Sequence, residues 1–150
     1  MYTEQKTALQ NFINEQEFNV AMTLDFDFAF LHTITNGSIR KTLKAWDASI
    51  NRKLLGTKWA KYPEQHLNYF AFIDKPETYP HIHVIAQVPE HELAFFAEQA
   101  DFAWKRLRST DARVNGIDIQ ICYNQPDWVS YITKDVTAES WLHSSEFKYR

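Results

Sequence analysis

A chain of 150 residues, of which 45% are hydrophobic and 15% aromatic, has the size and composition of one globular domain, residues 1–150. Its single cysteine excludes an internal disulfide and a cysteine-rich zinc site, and its three glycines exclude a glycine-rich phosphate loop. The formal net charge is −3. No apolar run approaches the ~18 residues of a membrane span, and the polar start is unlike a signal peptide, so we expect a cytoplasmic protein without a membrane partner.

Hydrophobic periodicity predicts eight elements in chain order: a helix over 4–16, a strand over 18–28, a helix over 39–54, strands over 67–74 and 79–86, a helix over 93–107, a strand over 117–123 and a helix over 128–134. After Val136 the chain is polar and its pattern assigns no element. Hairpin-length connections between these elements indicate an α+β sandwich of helices on an antiparallel sheet.

Turn and capping residues support these boundaries. Thr35-Asn36-Gly37-Ser38 is typical of a helix start, and Gly56 is placed to end the same helix. Pro126 suits the first turn of the last helix, where its missing N–H costs nothing. Tyr123 falls in the alternating register of the preceding strand, so we expect it to be buried.

Two histidines, His81 and His83, stand one residue apart in a run of branched aliphatic residues. On a strand they project from the same face, and at ~3.3 Å per residue their Cα atoms lie about 6.6 Å apart. Both imidazoles can therefore converge on one metal ion, while Ile82, Val84 and Ala86 pack on the opposite face. The alternative is a hydrogen-bonded core histidine beside an incidental one.

A basic segment runs from Ser38 to Lys61 and has a local charge of +6, because it holds seven cations and one anion, Asp47. A local patch can attract phosphate over about 8 Å whatever the distant acidic surface does. The alternative is a solvated helix face. The candidate nucleic-acid-binding residues are Arg40, Lys41, Lys44, Arg52, Lys53, Lys58 and Lys61.

Tyr131 and Lys134 lie three residues apart on the last predicted helix, so we expect them to share one face. Beside a metal, a phenol oxygen can attack phosphorus while an ammonium offsets the phosphate charge. This pair is therefore a candidate catalytic pair for phosphoryl transfer. The alternative is an amphipathic helix with a packed tyrosine and a surface lysine.

Three segments resemble, in the same order, the motifs of the HUH superfamily of single-strand DNA endonucleases, and within it the rolling-circle replication initiators. They are the strand Val20–Asp25, the histidine motif Pro80–Val84 and the Y-x-x-K motif within Trp128–Lys134. The tyrosine follows the histidines, as in initiators and unlike conjugative relaxases. A lysine three residues after the tyrosine favours initiators over single-tyrosine transposases.

The resemblance implies a ferredoxin-like, five-stranded antiparallel sheet with flanking helices and a Mn²⁺ or Mg²⁺ cofactor. It also implies that Tyr131 attacks origin-type single-stranded or hairpin DNA, which leaves a 5′-phosphotyrosine and a free 3′-hydroxyl. Host replication proteins or a helicase would be partners. The family's third ligand, often a glutamate, aligns with Ile73, so we assign this role to Asp74, with Glu77 and His66 in reserve. The general base is not identified.

Three other classes can be weighed against this reading. A histidine-triad hydrolase requires a third histidine where Ile85 stands, and a cupin requires a glutamate and glycines that are missing around the histidines. A non-catalytic module that stacks single-stranded bases on its sheet and aromatic residues is the stronger alternative.

Overall fold

The computed structural model describes residues 1–26, 35–76, 78–108 and 117–147. Within these ranges the chain forms four helices and five strands, which are α1 Thr3–Asn14, β1 Val20–Asp25, α2 Asn36–Leu55, β2 Asn68–Asp74, β3 His81–Gln87, α3 Leu93–Arg108, β4 Ile117–Ile121, α4 Gln125–Ile132 and β5 Trp141–His143. No helix in these ranges is long and apolar enough to cross a membrane.

The strands form one antiparallel sheet in the order β4-β1-β3-β2-β5. Residues 20–121 follow the order β-α-β-β-α-β, which is the ferredoxin-like arrangement. The predicted fold class, α+β with a five-stranded antiparallel sheet and flanking helices, is confirmed. Strand β3, which carries both histidines, lies at the centre of the sheet.

Each face of the sheet has its own hydrophobic core, because alternate strand residues point to opposite sides. On one face, Met22, Leu24 and Val84 pack against α2 and α3, which contribute Trp46 and Trp104. The opposite core joins α1 and α4 to the other side of β2 and β3, through Leu9, Ile13, Phe70, Phe72, Ile85, Val129 and Ile132. Sheets covered on both faces have continuous apolar strands, so the two histidines of β3 are exceptions that require a polar environment.

Helix ends follow the predicted capping. Thr35 Oγ1 accepts a hydrogen bond from the Ser38 N–H at 3.1 Å, and Ser38 Oγ accepts one from the Thr35 N–H at 2.9 Å. Helix α2 ends at Gly56, whose φ of 84° suits a residue without a side chain. Asn124 caps α4, and Pro126 lies in its first turn as predicted.

Two local predictions are wrong, and a segment that the sequence pattern left unassigned forms a strand. Strand β4 ends at Ile121 and the chain turns into the cap of α4, so Tyr123 is 92% exposed and not buried. Helix α4 begins at residue 125 and ends at residue 132, so Lys134 follows the helix. The polar tail contains β5, which completes the sheet by pairing with β2 and buries Leu142 fully. Three residues are too few for a periodic pattern to be detected.

Candidate metal centre and nucleophile

The sheet places three predicted ligands together on the face that carries α1 and α4. Asp74, the last residue of β2, pairs in register with His81, the first residue of β3. His83 lies two residues further along β3, and its neighbour on β1 is Thr23. Because both histidines occupy alternate positions of one strand, their rings project to the same side.

Asp74, His81 and His83 form the one group of potential metal ligands in the part of the chain that the structure describes. Their ligand atoms lie within 4.8 Å of one another. Asp74 Oδ2 is 3.0 Å from His81 Nε2 and 3.5 Å from His83 Nε2. A carboxylate and two imidazoles make a donor set for a divalent transition metal such as Mn²⁺, and for Mg²⁺ through the carboxylate.

The hydrogen bond that His81 makes through Nδ1 favours a cation between its Nε2 and Asp74. Its Nδ1 lies 3.0 Å from the Tyr79 carbonyl oxygen, which can only accept, so Nδ1 carries the hydrogen. In the neutral ring Nε2 then carries no hydrogen, and its lone pair faces the carboxylate of Asp74. Two acceptors at 3.0 Å repel each other unless a proton or a metal ion lies between them. Metal-bound histidines commonly donate their other N–H to such a carbonyl.

The buried environment of His83 suits a metal ligand. Its side chain is 6% exposed, and its Nδ1 lies 3.2 Å from Thr23 Oγ1. Its Nε2 is buried with no hydrogen-bond partner among the described residues, since 3.5 Å to Asp74 is too long for a charge-assisted bond. Burial lowers the pKa of His83, the charge of His81 lowers it further, and Asp74 opposes both. A neutral ring with an unpartnered nitrogen fits a metal ion.

A further carboxylate, Asp25, pairs in register with His81 from β1. Burial raises the pKa of Asp25, the charge of His81 opposes that rise, and Asp118 on β4 adds to it. Sequence reasoning did not single out Asp25 as a site residue.

Tyr131 reaches this centre from α4. Val129 and Ile132 are buried in the core beneath the helix, and the two rings of Trp128 and Tyr131, three residues apart, turn towards the sheet. Their centroids lie 5.5 Å apart at an interplanar angle of 30°. The Tyr131 ring is 5.5 Å from His83 and remains 59% exposed, so its phenol lies beside the ligand cluster and is accessible from solvent.

Lys134 lies beyond the helix end, yet it borders the same small cavity as Tyr131 and Asp74, a space of about 120 Å³. Lys75 borders this cavity too, and sequence reasoning missed it because it lies in the connection after β2. Its φ of 50° is left-handed, which costs a non-glycine residue about 1–2 kcal/mol. No signal in the sequence indicates this conformation. Two lysines therefore border the cavity that Tyr131 and Asp74 also line.

The predicted basic residues do not gather at this centre, because α2 packs on the opposite face of the sheet. Arg40 donates to the carbonyl oxygens of Glu139 at 2.6 Å and Trp141 at 3.4 Å, and so anchors the segment that forms β5. Arg52 lies 5.6 Å over the Trp59 ring. Lys41 and Lys44 lie in the first half of α2, Arg52 and Lys53 in its last turn, and Lys58 and Lys61 in the turns that follow.

Of the two reserve ligands, His66 lies away from the cluster. His66 Nε2 lies 2.8 Å from the Trp59 carbonyl oxygen, before the start of β2. Asp74 is at the other end of that strand, about 20 Å away at ~3.3 Å per residue. Glu77 lies outside the described residues.

Comparison of the chain with family models, with curated proteins and with solved structures finds no match. The functional argument therefore depends on the site itself.

Proposed function

We propose that this protein is a metal-dependent endonuclease and strand transferase that acts on single-stranded DNA, with Tyr131 as its nucleophile. The observation that supports the proposal most strongly is the position of Tyr131, whose exposed ring lies 5.5 Å from a buried histidine of the Asp74, His81 and His83 cluster. A phenol beside a metal site and two lysines is an arrangement suited to phosphoryl transfer.

In this proposal the Tyr131 oxygen attacks the scissile phosphorus, its P–O bond forms, and the bond to the 3′ oxygen breaks. The products are a 5′-phosphotyrosine and a strand that ends in a 3′-hydroxyl. A free phenol has a pKa of about 10, so its proton must be lost to a base or to solvent during attack, and the departing 3′ oxygen must gain a proton to become the hydroxyl. The reverse attack by a 3′-hydroxyl rejoins the strands and releases the tyrosine.

The side chains of this chain have separate roles. Asp74, His81 and His83 would hold Mn²⁺ or Mg²⁺, which when bound polarises a phosphoryl oxygen. Lys134 and Lys75 offset the negative charge that grows on the phosphate. The stacked Trp128 ring restricts the orientation of the nucleophile (ring centroids 5.5 Å apart).

We propose origin-type single-stranded or hairpin DNA as the substrate and rolling-circle replication as the setting. Exposed aromatic rings stack unpaired bases irrespective of sequence, which favours single strands over a duplex. Unwinding would be supplied by host replication proteins or a helicase. The retained 3′-hydroxyl could prime synthesis.

A second candidate is a non-catalytic module that binds single strands. The observation in its favour is Tyr123, which is 92% exposed on the same side as the stacked Trp128 and Tyr131 rings. Such a module would bind DNA with or without divalent metal and would never become covalently attached to it.

One experiment separates the two. The protein is incubated with Mn²⁺ and a pool of hairpin-bearing single-stranded oligonucleotides, and covalent adducts are detected by denaturing electrophoresis. We expect an adduct from the wild type that EDTA abolishes and that Tyr131→Phe cannot form. Tyr123→Phe is the matched control and should form it normally, because the substitution keeps the aromatic ring and Tyr123 is not one of the clustered ligands. Adduct formation by Tyr131→Phe would refute the assigned nucleophile.

A further inference from the structure

A second cavity lies on the same face of the sheet, between the polar sides of β1 and β4 and the first turns of α4. Its volume is about 490 Å³, within the range of small-molecule sites. Helices α1 and α4 pack over β2 and β3 on this face, which leaves the outward residues of β4 partly uncovered. We call this space the β4–α4 cavity.

The β4–α4 cavity is continuous with the proposed catalytic centre. Tyr131 and His83 line it, so anything bound there touches the nucleophile and one metal ligand. Asp118, Thr23 and His83 are neighbours in register across three strands. At about 4.8 Å per strand, Asp118 lies roughly 10 Å from His83, close enough to hold a base whose phosphate lies at Tyr131.

Aromatic rings line part of the cavity. Trp128 and Tyr131, stacked on each other, border it on the α4 side, and the exposed ring of Tyr123 lies at its edge. Flat apolar faces of this kind stack nucleobases. The cavity therefore has walls suited to a planar ring.

Strand β4 and the first turn of α4 supply the cavity with hydrogen-bond acceptors. Asp118 and Asp127 are carboxylates, which only accept when ionised. Gln120 turns its amide nitrogen to Asp118 at 3.3 and 3.4 Å, so its carbonyl oxygen remains an acceptor. Asp127 already receives the Asn124 amide at 2.8 Å through one oxygen, which leaves the second. Two negative charges exclude a phosphate from this space and favour a ligand that presents N–H groups.

Among the four bases, guanine presents N1–H and N2–H₂ side by side, a pair that one carboxylate can accept. Adenine and cytosine each present one amino group, whereas thymine presents no amino group and only one N3–H, flanked by two carbonyl oxygens that a carboxylate repels. We propose that the β4–α4 cavity binds a base next to the scissile phosphate and selects an amino-bearing base, guanine before adenine and cytosine, and thymine least. The proposal rests on the proposed function, because it places the base beside Tyr131.

The test measures binding without catalysis. Tyr131→Phe protein in EDTA is titrated with fluorescent thymidine octamers that contain one central guanine, inosine, adenine or cytosine, or none. We expect the guanine octamer to bind roughly tenfold more tightly than the all-thymine octamer. Inosine lacks only the N2 amino group, so it should lose most of this advantage.

Variants of the protein show which side chains produce the guanine preference. Asp118→Asn in the same background should reduce the guanine preference, because an amide replaces one acceptor oxygen with a donor. Glu98→Gln changes the charge equally on α3, on the opposite face of the sheet, and should leave the preference unchanged. Asp127→Asn is a second variant. Its melting temperature is measured as well, because Asp127 lies in the first turn of α4 and its substitution could destabilise the helix.

Equal affinity for all octamers, absence of binding to any of them, or a guanine preference that survives both Asp118→Asn and Asp127→Asn would overturn the assignment of the cavity. The proposed function is read separately from the metal-dependent adduct of the wild type. If the wild type forms the adduct but shows no base preference, the base-binding role of the cavity is refuted and the endonuclease activity is retained. If a base preference is found but no adduct forms, the base-binding role of the cavity is retained and the endonuclease activity is refuted.

Discussion

Binding of Mn²⁺ should raise the melting temperature of the protein, because the unfolded chain does not hold Asp74, His81 and His83 together. A ligand at a hundredfold excess over its Kd adds about 2.7 kcal/mol to the free energy of unfolding. In chains of roughly 150 residues, each kcal/mol raises the melting temperature by about 2–4 °C. The expected increase at saturating Mn²⁺ is therefore about 5–11 °C.

Two variants assign this increase to the cluster. Asp74→Asn removes the charge that both histidines face, and His81→Ala removes a ligand that is 15% exposed. Without metal, Asp74→Asn should change stability by only about 0–1 kcal/mol, since the Asp74 side chain is 28% exposed and its ion pair is partly solvated. With metal, neither variant should show the increase. His91→Ala is the control, because its side chain is 82% exposed and lies outside the cluster.

Thermal unfolding followed by intrinsic fluorescence gives the readout, with Mn²⁺, Mg²⁺ and EDTA compared for each protein. If millimolar Mn²⁺ leaves the wild type unchanged, or if Asp74→Asn and His81→Ala are stabilised as much as the wild type, the ligand assignment is refuted.

Three further predictions follow from the geometry. Asn51→Ala should lower the free energy of unfolding by about 2–4 kcal/mol, because this fully buried side chain donates to the Asp47 carbonyl of α2 and accepts from the Leu67 N–H before β2. An unchanged denaturation midpoint would contradict this. Lys134→Ala and Lys75→Ala should each slow adduct formation by roughly a hundredfold in single-turnover assays without lowering the melting temperature, whereas normal rates would exclude both from catalysis. Lys41 lies towards the end of β2 that carries Asp74, because its neighbour Arg40 donates to the carbonyl of Trp141, which pairs with Phe72. Lys41→Glu should therefore lower the log–log salt slope of DNA binding by about 0.7 per lost phosphate contact. Lys53→Glu, in the last turn of α2 near the start of β2, should leave the slope unchanged, and equal slopes would refute this difference.

The strands could be predicted from sequence where one physical pattern determines them. Val20, Met22 and Leu24 alternate with polar residues because one side of β1 faces the core beneath α2 and α3. The same alternation places His81 and His83 on one face of β3. Local periodicity was sufficient for these residues.

Where tertiary context decides, the sequence pattern was insufficient. Tyr123 continues the alternation of β4, but the strand ends two residues earlier and leaves it in solvent. Strand β5 is recognisable only through its partner β2, which pairs with it over three residues.

The candidate site shows the same division. Asp74 could be chosen because the resemblance places the third ligand at Ile73, one residue earlier, and the structure brings Asp74 within 3.0 Å of His81. Trp128 and Lys75 join the site through helix packing and a left-handed backbone, neither of which has a sequence signature. The cations of α2 lie off its apolar stripe, but helical periodicity does not reveal on which face of the sheet a helix packs.

The most direct test of the central claim is to identify the residue that carries DNA after the reaction. The covalent adduct is digested with a nuclease and then with a protease that cleaves before aspartate, which separates Tyr123 in 118–126 from Tyr131 in 127–134. Mass spectrometry should find a 5′-linked nucleotide on Tyr131 and an unmodified 118–126 peptide. A nucleotide on Tyr123 or on any other residue, with 127–134 unmodified, would contradict the account.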